Sequence, residues 1–377
     1  MNVKQMYTIL NQITQEVIGE TAVVEEDLSN VIDVGTNILN STSVDNYVKK
    51  LVDKIGRTIF VDRDYSGTAP NIMRDSWDYG SILEKVRCEL PEAQENKTWS
   101  LVKGESVDPF VFSPPDVSAK FFNSKTTFEI PISFTDAQVK ESFRSATDLN
   151  KFFSMIANRI RMFQTMCSDS MVMRTIDRLI VEKISNNSNV INLLSNYNTL
   201  YGTDLTKEKA IVNKDFLRYA TATIMLFSDR IKNASTLYNN DGVVTFTPKN
   251  KQQLVLLSEF ANNLNVFLLS DTYHNEILKL GGYDTVPYWQ GSGNNANAPL
   301  AECSKIHMKV KEDGVAQEYT GIVGVLFDKD SCAVCNENPR VTSQYNAKGE
   351  YTNYFYKTDC SYLVDTAENC VVFTLGN

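Results

Sequence analysis

The residues that could do chemistry are few. Cys332-Ala-Val-Cys335 has the spacing of half a zinc site or of a redox pair. A zinc knuckle needs a second pair at comparable spacing. Cys303 with His307 upstream, or Cys360 with Cys370 downstream, lacks the short C-x-x-C or H-x-x-x-H form. The reading for Cys332 and Cys335 is therefore ordinary thiols near a turn, with metal binding as the alternative. His274 and His307 are the only histidines, too few for a His-rich metal site. His274 follows Asp271 and Tyr273 where a helix is expected to start, which suits a cap or a surface role. The carboxylate pairs, Glu25 with Glu26 and Asp62 with Asp64, have no apolar setting to raise a pKa. The loop 289–298 contains a lone Gly-x-Gly, but no Lys-Ser/Thr follows, so it reads as a plain loop. Neither catalytic residues, nor a metal, nor a cofactor is expected.

What these residues sit on is more informative. From 148 to 185 an apolar stripe recurs at helical spacing through Leu149, Phe152, Phe153, Ile156, Ile160, Phe163, Cys167 and Met171. A helix of that length would be ~57 Å long, about the diameter of a compact ball built from the whole chain, whose radius of gyration would be ~21 Å. The helix is thus a spine, and the molecule is expected to be flat or elongated. Its polar face carries Asn158, Arg161, Asp169, Arg174, Asp177, Arg178 and Glu182, read as a solvated or packing face and not as a binding site.

Upstream, 43–55 reads as a helix closed by Gly56, followed by a strand over 57–62. Residues 126–134 alternate with period two, which places Phe128, Ile130, Ile132 and Phe134 on one face of a strand. The ~60 residues between these strands are too long for a passive connection. They read as a projecting two-stranded arm whose flanking strands pair at its base. Its Trp77, Trp99, Phe110 and Phe112 are candidate interface residues, since aromatics bury large apolar area and gather at interface centres. Capping boxes at 135–138 and 145–148 open a short helix and the spine.

Downstream of the spine, 188–322 reads as an α/β module with helices at 214–233 and 251–264 and strands at 265–269 and 306–311. Strands at 321–327, 351–358 and 369–375 follow, with a hairpin turn at Asn346-Ala-Lys-Gly349, and the C-terminus is expected to return to the domain that holds the spine.

The 377 residues are 42% hydrophobic and 22% charged, with a net charge of -9. This is a globular mix, and it lacks the basic cluster that tight phosphate binding requires. No stretch is apolar enough for a transmembrane span or a signal peptide, and seven cysteines without secretory context fit reduced thiols in a cytoplasm.

The order of elements, together with TNILNSTSVDNYVKKLVDKIGRT at 36–58, GIVGVLFDKDSC at 321–332 and NPRVTSQYNAKGEYTNYFYKTDCSYLVDTAENCVVF at 338–373, resembles major capsid proteins of tailed bacteriophages, and most nearly those of small short-tailed phages of the phi-29 kind. The resemblance implies an α+β, HK97-like capsid fold. Its parts would be an N-terminal arm (1–40), a lead-in (41–59), an extended β-arm or E-loop (60–126), a peripheral domain with the spine (127–187), an axial domain (188–322) and a return to the peripheral domain (323–377). It further implies a structural virion protein that self-assembles into hexamers and pentamers of an icosahedral shell around double-stranded DNA. Packaged DNA would be touched without sequence-specific binding, and no membrane would be involved. A portal and a scaffolding protein, separate because no long N-terminal scaffolding segment is recognised, would assist. An encapsulin-like compartment shares these features, and a metal-dependent enzyme using Cys332 and Cys335 is the alternative of another class.

Overall fold

A computed structural model describes residues 11, 12, 14, 69–74, 83–89, scattered positions from 93 to 116, then 117–135, 146–186, 189–269, 282–291, 301–303, 305–309 and 316–376. The expected helix at 43–55, the strand at 57–62, residues 136–138 of the first capping box, the carboxylate pairs, His274 and Trp77 lie outside the described residues.

Two sheets flank the spine. Strands β1 (Leu83–Cys88) and β2 (Val117–Phe122) form a separate two-stranded ribbon, and β3 (Lys125–Thr135) follows. The alternation expected in β3 is present: Phe128, Ile130, Ile132 and Phe134 turn to the less exposed side, and their neighbours are exposed. Pro131 interrupts nothing, because among the described residues β3 pairs on one side only, where a missing N–H is tolerated. Its partner is β13 (Tyr351–Val364), which pairs in turn with β12 (Cys332–Asn346). The β12–β13 hairpin turns where expected, with Asn346 Oδ1 accepting from the N–H groups of Lys348 and Gly349, both at 3.1 Å. Asp359 ties all three strands together: it accepts from Arg340 at 2.8 and 3.1 Å and from Thr127 Oγ1 at 2.7 Å. The Arg340 guanidinium accordingly holds its carboxyl well below the usual range.

The second sheet is mixed, in the order β4-β14-β11-β5-β6. Its strands are β4 (Val190–Asn192), β5 (Gln252–Leu257), β6 (Asp284–Val286), β11 (Ile322–Asp328) and β14 (Cys370–Thr374). β7 (Gln290–Gly291) pairs with β8 (Ala301–Cys303), and β9 (Ile306–Met308) with β10 (Gln317–Tyr319). Residues 323–377 are thus divided between the two sheets. β12 and β13 join β3, whereas β11 and β14 join β5 and β4. Gly321 opens β11 with a positive φ of 72°, and a Cβ there would overlap the Gly376 carbonyl, so the chain end crosses at a point only glycine fits.

Two expectations fail in the module after the spine. The stretch read as a helix at 251–264 is β5 followed by a helix, and 265–269, read as a strand, continues that helix. A continuous apolar run such as Leu-Val-Leu-Leu looks alike as a buried strand or a buried helix; here Leu254, Val255, Leu256 and Leu257 are all buried in a strand covered on both faces. Counting in chain order, the helices are α1 (Ala146–Ser185, the spine), α2 (Leu193–Tyr201), α3 (Lys207–Ile211), α4 (Lys214–Arg230) and α5 (Ser258–Leu269). Asn192 and Asn213 cap α2 and α4, accepting from Ser195 N and Phe216 N at 3.0 Å.

The spine spans 40 residues, but its buried side is not one stripe. At 100° per residue, Ile156, Cys167 and Met171 lie within about 40° of Ile160, and all four are buried. Phe163 lies about 60° off, at the margin, and is 40% exposed. Beyond Met171 the buried side turns over. Val172, Ile176, Leu179 and Ile180 lie from about 100° to 200° round, on the side that Asn158, Arg161 and Met162 leave exposed in the first half. The first half meets the three-stranded sheet, where Asn336 Nδ2 donates to Ser168 Oγ at 2.8 Å. The second half enters the main core with Val255, Leu326 and Phe373 of the mixed sheet.

This inversion buries Asp177, which the sequence put on a solvated or packing face. Neither of its carboxylate oxygens has a hydrogen-bond partner among the described residues. Burial pushes its carboxyl well above the usual range, against a weaker pull from the Arg174 charge. A carboxyl raised in the folded state supports folding fully below its unfolded value of ~3.9, and that support is lost as pH rises through the folded pKa. Asp177→Asn should therefore stabilise the chain by roughly 1–3 kcal/mol at neutral pH and by little near pH 4. Thermal melts at both pH values check this; an equal shift at the two would show that ionisation is not the cause.

Candidate assembly surface

Among the described residues the cysteines approach one another in two separate groups, Cys335 with Cys360 and Cys167, and Cys332 with Cys370, and neither group makes a site. On the extended strand β12, Cys332 and Cys335 are three residues apart and so point to opposite faces, where they cannot share a metal or a disulfide. Burial pushes the thiols of Cys360 up to about 12 and of Cys167 and Cys370 to about 11, far from the thiolate form that attacks or ligates at neutral pH. His307 is exposed on β9, opposite Glu318. Among the described residues, no group of three or more His, Cys, Asp or Glu could hold a metal, and no helix is long and apolar enough to cross a membrane.

The ribbon of β1 and β2 is a different matter. Residues directly opposite on an antiparallel pair share a face. One face carries Leu83 with Phe122, Lys85 with Lys120, and Arg87 with Ser118; the other carries Glu84 with Phe121, Val86 with Ala119, and Cys88 with Val117. The cationic face is turned to the body. Val86, Val117 and Phe121 are exposed on the other. This is the reverse of an ordinary surface ribbon, whose apolar side turns inward.

The arm continues beyond Cys88 into residues 89–116, where Trp99 is 100%, Phe110 88% and Phe112 84% exposed, with Leu101 and Val102 also exposed. Three of the four aromatics picked out from sequence thus stand in solvent in the single chain. Sequence reading missed Val86, Val117 and Phe121, although the alternation Glu84-Lys-Val-Arg-Cys88 was a usable signal. The expected pairing of a strand at 57–62 with β3 at the arm's base lies outside the described residues; β3 pairs with β13 on its described side, and the described strands of the arm are β1 and β2.

On the body side, Lys85 Nζ is 2.7 Å from Asp365 Oδ2 and 2.6 Å from Glu368 Oε1, and Arg87 Nη2 is 2.6 Å from the same Glu368 oxygen. Lys120 pairs with Asp241 and lies 3.3 Å from Asp365 Oδ1. Burial alone would raise the Asp365 carboxyl, but the Lys85 hydrogen bond and charge, the Ala367 amide and the Lys120 charge outweigh it and hold the group below its ordinary value. Just below, Asp330 takes Arg74 at 2.7 Å and Lys251 at 2.8 Å.

A long spine, two sheets on its opposite sides and an outward-facing apolar arm make a tile with a sticky projection. The family model for the Phi29-like phage major capsid protein matches residues 8–374. The chain belongs to that family. This capsid protein is therefore a shell-forming structural protein with an HK97-like fold, a component of the virion, and its family is not one of enzymes. Among solved structures, the capsid of Staphylococcus phage Andhra is similar at a TM-score of 0.52 and 10% identity, covering 82% of this chain and 85% of that one. A capsid chain of cyanophage P-SCSP1u aligns at TM-score 0.47 and 9% identity over 82% and 87% of the two chains. A chain from the structure of Mycobacterium phage Che8 aligns at 0.43 and 12% over 84% and 94%. No individually curated protein sequence matches the capsid protein. Neither the compartment nor the metal-enzyme alternative gains support from these matches.

Proposed function

We propose that this capsid protein forms the hexamers and pentamers of an icosahedral shell around double-stranded phage DNA, and that its arm lies across a neighbouring copy. The observation that carries the reading is the inverted ribbon: Val86, Val117 and Phe121 outward, extended by Trp99, Phe110 and Phe112 at the tip. Trp77 is assigned to the same surface by its place in the arm sequence. Apolar area of this kind on an extended arm is stabilised only when something covers it, and a second copy of the same chain, repeated by symmetry, covers every arm in a closed shell.

The spine and the three-stranded sheet would be the peripheral domain. The module at 188–322 would be the axial domain, with tips meeting at the centre of each capsomer. The net charge of -9 suits an inner wall over which packaged phosphates slide without sticking. Assembly in the host cytoplasm, with a separate scaffolding protein and a portal, is what the family resemblance suggests for the partners. Negative-stain microscopy of the expressed protein tests the reading: uniform shells are expected, and small monodisperse particles at high protein concentration would overturn it.

A further inference from the structure

We propose that the arm is seated on its own subunit by an ion-pair cluster, and that this seat sets the direction in which the arm leaves the body before any neighbour binds it. The proposal rests on the assembly reading for its consequence, though the seat itself is a property of the single chain.

The ribbon's inner face carries Lys85 directly opposite Lys120, with Arg87 one step along, and no acid of the ribbon lies among them. Like charges directly opposite destabilise an isolated ribbon. The compensating acids all come from the body: Asp241 from the loop after α4, and Asp365 and Glu368 from the turn between β13 and β14. Two of them are deeply placed, the Asp365 side chain being 2% and that of Glu368 10% exposed. The turn that holds them is rigid: Asp365 N donates to Ser331 O at 2.7 Å, and Ala367 N to Asp365 Oδ1 at 3.0 Å. Lys85 Nζ and Arg87 Nη1 also reach the Asp330 and Ala367 carbonyls, each at 3.3 Å.

Swinging the ribbon away would give up three charge-assisted hydrogen bonds, from Lys85 to Asp365 and Glu368 and from Arg87 to Glu368, in exchange for water. Leu83 and Phe122, half-buried on the same face, add apolar contact but no charge. The arm can therefore present its apolar side outward while its base stays fixed, and the angle between arm and body is decided by where Asp241, Asp365 and Glu368 sit. Neighbours in a shell would then meet at an angle encoded within each subunit.

Removing only the cations would confound seating with the cost of stranded acids, so the decisive variant neutralises both sides: Lys85→Met and Arg87→Met together with Asp365→Asn and Glu368→Gln. On the unassembled chain, amide hydrogen exchange over residues 365–369 and 118–122 is expected to quicken at least about tenfold, with the core melting as in the parent. Shells from this variant should be absent or broad in diameter. Exchange within about twofold of the parent, or shells of uniform parental diameter, would overturn the proposal. Should the variant not fold, the parent chain decides. Raising salt from about 0.05 M to about 1 M should quicken exchange over residues 118–122, because the Lys120–Asp241 pair is part-exposed and is screened, and unchanged exchange there would overturn the seat. Exchange is read on single chains, so a parent protein that forms no shells would refute the assembly reading while leaving the seat to stand or fall by itself.

Discussion

Replacing residues 90–115 with a short turn yields a chain that folds and melts like the parent and forms no shells. The side chains removed include Trp99, Phe110 and Phe112, all highly exposed and none part of the main core. Every described residue of that stretch is exposed. Assembly loses a great deal: three aromatic side chains withdraw on the order of 500 Å² when covered, a gross ~12 kcal/mol per subunit before association costs are subtracted. The cut is placed to spare β1, β2 and Arg74. A wider deletion over 74–118 would also remove the cations that neutralise Asp330, Asp365 and Glu368, mixing a folding defect with an assembly defect. Microscopy and a thermal melt together check the result. Uniform shells of parental size from the shortened chain would mean that the tip is not an assembly element.

The second large effect is expected within the spine. Ile176→Asp should abolish folding, leaving insoluble or unfolded chain. Ile176 has no exposed surface and sits in the main core. The substitution removes ~2–4 kcal/mol of apolar burial and adds an unpaired carboxylate that costs several more, against a total stability on the order of 5–15 kcal/mol. Ile160→Asp, equally buried but in the first half of the spine, should do the same at the three-stranded sheet. Phe163→Asp, at the margin, should be tolerated. Soluble yield and far-UV circular dichroism melts separate the three. Recovery of Ile176→Asp as soluble protein with a cooperative transition would mean that this face is not core.

Much of this was legible where structure is local. The alternation of Phe128, Ile130, Ile132 and Phe134 located β3, because a half-buried strand writes its two faces into adjacent residues. The hairpin at 346–349 followed from Asn and Gly chemistry. Periodicity failed where it carries no information, as in the fully buried run of β5. It left Asp177 undecided between solvent and packing, because a single stripe does not show the point where the spine changes sides. The ionic seat was out of reach for another reason. Lys85 and Glu368 are 283 residues apart, and nothing local to either names the other. The exposed aromatics were found from sequence because Trp and Phe in a long polar connection are conspicuous wherever the chain goes.

The turnover of the spine's buried side also constrains how such a chain can drift over generations. The two halves are in fixed phase, one facing each sheet. A single residue inserted near Met171 would rotate everything after it by about 100° and aim Ile176 and Leu179 away from their sheet. Gains or losses of seven residues, which shift the phase by only about 20°, are the changes the spine can absorb. Its length should therefore vary among related shells in steps rather than residue by residue.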